Sequence, residues 1–88
     1  MLDLKELKIW NKASDLALEV YHATKDFPSE EKFGFPSQIR RSALSVSSNT
    51  SEGAGRNSNK EFVHFLSIAN GSAYELQTQL IISNKLGL

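Results

Sequence analysis

Cysteine is absent from the sequence, which excludes disulfides and thiolate metal sites as reinforcement. Proline is scarce. Pro28 and Pro36 fall in one short segment, so the long stretches on either side are free to be helical. No run approaches the roughly 20 apolar residues that a membrane-spanning helix needs. The start, Met1-Leu2-Asp3-Leu4-Lys5-Glu6, lacks the apolar stretch of a signal peptide. These absences predict a cytoplasmic protein without a membrane partner, in which the Asn-x-Ser triplets at Asn49 and Asn70 carry no glycan. A surplus of either charge is missing too. Ten basic and ten acidic side chains cancel, whereas a dedicated nucleic-acid binder shows a strong positive excess. Only a local basic patch stays open.

The 88 residues form one domain at most. A chain this short buries roughly 60% of the surface its unfolded form exposes, so its core is thin. Small domains without disulfides or metals commonly lean on oligomerisation. Assembly is therefore the first expectation.

What is present is helical periodicity. Trp10, Ala13, Ala17, Val20, Thr24 and Phe27 recur at three- and four-residue steps, and Ile9, Leu16 and Ala23 widen the stripe. Asp3 with Glu6 fits a capping box, and Leu2 with Leu7 a hydrophobic staple. Phe27-Pro28 ends this helix, because the residue before proline is pushed out of helical geometry. Ser29 to Phe35 reads as a connector closed by Gly34, and Pro36 suits the first turn of a second helix. That helix has a narrow apolar line, Ile39, Ala43 and Val46, with Leu44 beside it. Its serines at 42, 45, 47 and 48 lower helix propensity and suggest close approach by a neighbour. Ser58 and Glu61 form a capping box for a third helix, whose expected buried face is Phe62, Phe65, Leu66, Ala69, Ala73, Leu76, Leu80 and Ile81. Asn70-Gly71 would mark a hairpin between strands, but the helical period runs through it. Leu86-Gly87-Leu88 reads as a glycine cap. The expected helices cover about 4–25, 36–53 and 59–86 of a single all-α domain, 1–88, folded as an up-down antiparallel bundle.

Chemistry-bearing patterns are few. No phosphate-binding glycine loop, catalytic triad or zinc spacing occurs, and Gly53-Ala54-Gly55 is a helix-end signal. Glu61 and His64 match the Glu-x-x-His step of di-metal bundles, but no second such pair exists and Glu61 has a capping role. His22, near the end of the first helix, is explained as a surface residue that favours the helix dipole. No catalytic residue, metal, cofactor or small-molecule substrate is expected. Arg40, Arg41, Arg56 and Lys60 are the candidate nucleic-acid residues, if the end of the second helix and the start of the third present them together. The plainer reading pairs them with Glu52, Glu61 and Glu75, and the zero net charge and lack of a base-stacking surface favour it. Asn49 and Glu52 are candidates for polar registry contacts, and Gly71 and Ser72 form a small spot in mid-helix. Trp10, Tyr21 and Tyr74 are candidate anchors for a partner; core packing is the simpler account of Trp10, while Tyr74 suits core or subunit contact equally.

Several segments resemble a known family. They are Lys5 to Ala13, Phe27-Pro28 through Glu31 to Phe33-Gly34, Gln38 to Ala43, and Ser45-Val46 through Ser48-Asn49 to Glu52-Gly53-Ala54-Gly55-Arg56. Glu61-Phe62 through Phe65-Leu66 and Ile68-Ala69 to Gly71-Ser72, then Glu75 to Leu80, complete the set. Together they are similar to the four-helix bundle proteins named for intervening sequences in 23S rRNA genes. The resemblance implies a four-helix bundle and a ring-forming homo-oligomer, often a pentamer. A relative serves as accessory subunit to the reverse transcriptases of diversity-generating retroelements, where a basic surface is thought to hold nucleic acid. Ser47 stands where the family usually has proline, and Thr50-Ser51 replace an apolar-small pair. The chain stops where the family's third helix stops, so either it is a truncated product or another chain supplies the packing of the fourth. The expectation is a non-enzymatic, self-assembling scaffold or accessory protein; the alternative is an RNA-binding adaptor.

Overall fold

The computed structural model describes residues 4–28 and 34–87. Three helices form among them: α1 (Leu4–Thr24), α2 (Phe35–Ala54) and α3 (Asn59–Lys85). The ends follow local chemistry. At the end of α1 the buried Thr24 hydroxyl donates back to the Val20 carbonyl at 2.8 Å, and Phe27 N–H reaches the Thr24 carbonyl at 3.2 Å. Pro36 occupies the first turn of α2, where a missing N–H leaves no bond unmade. Ser58 caps α3 and accepts the Glu61 N–H at 3.2 Å. Gly87, at φ +82, takes the left-handed conformation that closes α3. Asp3 and Leu2, the partners proposed for Glu6 and Leu7, and residues 29–33 of the connector lie outside the described residues.

Cross-helix contacts set the topology. Ser14 meets Ser47 and Thr24 meets Arg40, so α2 runs back along α1. Ser45 meets Ser72, Ser42 meets Glu75, and Gly53 lies against Phe62 and Phe65, so α3 reverses again. This is the expected up-down order. Among the described residues α2 packs along both α1 and α3, and no interface of comparable size joins α1 to α3.

The core is correspondingly small. Ile39 and Ala43 of α2 are fully buried with Ala17, Val20 and Leu76, and Leu16, Phe27 and Phe35 pack against them. The expected stripe on α1 is largely met, but Trp10 is only half-buried and Ile9 and Ala23 are exposed. On α3 only Ala69 and Leu76 of the expected apolar face are buried, and Leu80 and Ile81 are exposed. The reason is geometric. A helix covered along one flank buries the side chains on that flank, and Ile81 lies outside the stripe that meets α2.

Gly53 marks the closest approach. A Cβ at this position would sit 2.9 Å from Phe65 Cβ and 3.2 Å from the Phe62 carbonyl oxygen. Gly53→Ala is therefore expected to destabilise the fold by about 1–3 kcal/mol despite alanine's better helix propensity. Urea unfolding followed by circular dichroism measures this, and an unchanged or raised midpoint contradicts the packing.

Candidate functional site

The four candidate cations do not converge. Arg40 and Arg41 lie near the start of α2, whereas Arg56 follows its end and Lys60 opens α3. About 20 Å of helix separates the two pairs. The expectation of one basic patch is thereby corrected: antiparallel packing joins the end of α2 to the start of α3, and Arg40 and Arg41 are at the opposite end.

Each pair has its own surroundings. Arg40 Nε donates to Thr24 Oγ1 at 2.8 Å, and its guanidinium lies 4.8 Å from the centre of the Tyr21 ring. Arg40 and Tyr21, together with Pro36, Ser37, Arg41 and Leu44, line an open depression of about 500 Å³. Arg41 also borders a cleft with Gln38, Glu75 and Gln79. Arg56 ion-pairs with Glu52 one turn back and stacks on Phe65 at 4.9 Å. Lys60, Glu61 and His64 border a shallow hollow beside it. The Glu61 carboxylate accepts from the Ser58 hydroxyl at 3.5 Å and Glu75 accepts from Ser42, so both acids have partners within the chain. The Arg56–Glu52 pair follows the plainer sequence reading.

Registry falls to the serines of α2 and their partners, among them the expected Ser72, and not to Asn49 or Glu52. Ser14 and Ser47 hydroxyls meet at 3.1 Å, Ser45 and Ser72 at 2.8 Å, and Ser42 donates to Glu75 at 2.7 Å. Asn49 instead donates within its own helix, to the Ser45 carbonyl at 2.9 Å, and Glu52 is turned to solvent with Arg56. The run of small side chains in α2 was the available signal, but their individual partners depend on helix register.

The small spot on α3 divides. Ser72 faces α2, whereas Gly71 is exposed and a Cβ there would meet nothing within 4 Å. Tyr74 is 66% exposed, so no core role within this chain accounts for it. Apolar exposure extends over two faces. One is a groove of about 290 Å³ between α1 and α2, lined by Ser14, Ala17, Leu18, Tyr21, Leu44 and Ser47. The other is the outer side of α3, with Val63, Tyr74 and Ile81. Among the described residues no group of three or more His, Cys, Asp or Glu side chains is placed to hold a metal, and His64 packs edge-on against Phe65. No helix among them is long and apolar enough to cross a membrane.

The Ser45–Ser72 contact is open to a double-mutant cycle. Replacing each serine by alanine, singly and together, is expected to give a coupling of about 0.5–1.5 kcal/mol in urea unfolding. Strict additivity contradicts a registry role.

Comparison with known proteins bears on this arrangement of exposed apolar faces and divided cations. None of the curated proteins matches the sequence. The family model described as 23S rRNA-intervening sequence protein matches residues 5–88. The antiparallel helices fit the bundle expected of that family, and the match spans nearly the whole chain: this protein belongs to the 23S rRNA-intervening sequence protein family.

Proposed function

We propose that this chain is a non-enzymatic assembly protein, a homo-oligomeric bundle that acts as a scaffold or accessory subunit in the cytoplasm. One observation carries the reading. Large apolar side chains stand exposed on α1, α2 and α3, among them Leu18, Tyr21, Leu44, Val63, Tyr74 and Ile81. Monomeric proteins rarely leave extensive contiguous apolar patches in water, and such patches mark contact surfaces. The thin core around Ile39 and Ala43 points the same way. Family membership supports a ring of copies, five in the form the resemblance suggests.

The groove between α1 and α2 gives a direct test. Leu18→Glu places a charge on its exposed rim without touching the buried Ala17 or Val20. The variant is expected to keep its helicity and to shift from oligomer to smaller species in light scattering. A wild-type chain that scatters as a monomer at high micromolar concentration removes the reading.

The RNA-adaptor alternative is divided between the Arg40–Arg41 end and Lys60 at the other, since Arg56 pairs with Glu52. With so few free cations, binding to a labelled RNA is expected to be weak at low salt and lost at moderate salt. Tight binding that Arg40→Gln and Arg41→Gln abolish reverses the ranking.

A further inference from the structure

The side of α3 turned away from α2 has an order that the fold does not explain. Val63, Ser67, Asn70, Tyr74, Gln77 and Ile81 follow one another at alternating four- and three-residue steps. This spacing draws a straight seam along the helix, as in a coiled coil. All six are at least partly solvent-facing, and Val63, Tyr74 and Ile81 are 62%, 66% and 50% exposed. No Asp, Glu, Lys or Arg occupies the seam, although a surface helix normally carries its charges on this side. Gly71 flanks the seam in mid-helix, open to solvent, where alanine would be the better helix former within the lone chain.

We infer that this seam receives the same seam of a second copy, antiparallel, about a two-fold axis at the level of residue 72. The inference rests on the self-assembly proposed above and adds a two-fold contact to it, of the kind that pairs one ring with another, since contacts within a five-membered ring are heterologous. Antiparallel pairing sets Val63 opposite the second copy's Ile81, Ser67 opposite its Gln77, and Asn70 opposite its Tyr74. Apolar groups then meet apolar groups, and hydrogen-bonding groups meet hydrogen-bonding groups. The same alignment brings Lys60 beside Asn84, whereas a parallel pair would oppose Lys60 to Lys60 and Tyr74 to Tyr74. The seam is chemically complementary to its own reverse, which is the requirement of an isologous contact. A nucleic acid would find no cation along it, and an acidic or basic peptide no counter-charge.

The area limits its strength. From Val63 to Ile81 the seam is roughly 30 Å long and a helix is about 10 Å across, giving a footprint of roughly 300 Å² per copy. A standard stable interface takes about 800 Å² per partner. This contact therefore dissociates on dilution when it acts alone.

A charge swap tests it. Val63 and Ile81 lie about 27 Å apart within one helix, so charges placed there do not compensate each other inside a monomer. Both side chains are exposed, and neither substitution disturbs the core. Val63→Glu and Ile81→Lys are each expected to weaken self-association at least tenfold in sedimentation velocity across a micromolar series. The double variant Val63→Glu/Ile81→Lys opposes Glu to Lys across the axis twice and is expected to recover most of the loss. Wild-type association that neither single variant weakens, or a double variant no better than the singles, overturns the α3 pairing while leaving self-assembly through another face intact. A wild-type chain that stays monomeric throughout overturns both.

Discussion

The close approach of α2 to both of its neighbours is the constraint on which the rest of the molecule depends. It requires small side chains wherever the helices touch, and α2 supplies them: Ala43 at the centre, Ser42, Ser45 and Ser47 on the flanks, Gly53 against Phe62 and Phe65. Small side chains bury little apolar surface, so hydroxyl pairs across the interface contribute specificity where a larger core would contribute hydrophobic stabilisation. The fold is thus well registered and thinly buried at once.

That shortage explains the surface. With α2 covering one flank of each neighbour, the remaining flanks of α1 and α3 keep their leucines, isoleucines and tyrosines in water. A mid-helix glycine and an uncharged outer seam on α3 are poor choices for a solvated helix and good ones for a helix that meets another. The four candidate cations of this chain form no single patch. Its cations sit at opposite ends of α2, and Arg56 is held by Glu52 beside it.

Helix number, helix limits and direction were legible from the sequence because their signals are local. Phe27-Pro28, Pro36, the Ser58–Glu61 box and Gly87 each act within a few residues. The buried stripe of α1 was legible for a related reason: Ala13, Ala17, Val20 and Thr24 repeat with the helical period. Leu80 and Ile81 were misread because periodicity reports that a helix has an apolar side and not whether a neighbour covers it. The basic cluster was misread through proximity in sequence, since a helix carries residues 40 and 56 to opposite ends. Asn49 looked like a registry residue by chemistry, yet the register itself turned it onto its own backbone and gave the role to serines.

The absence of a substantial α1–α3 interface among the described residues also shapes how the molecule comes apart. Among the described residues each outer helix is held mainly by α2, so loosening of α1 leaves the Gly53 contact and the Ser45–Ser72 pair of the α2–α3 hairpin in place. Local opening is then hierarchical, with α1 forming a separate low-energy unit and the hairpin the last to lose protection.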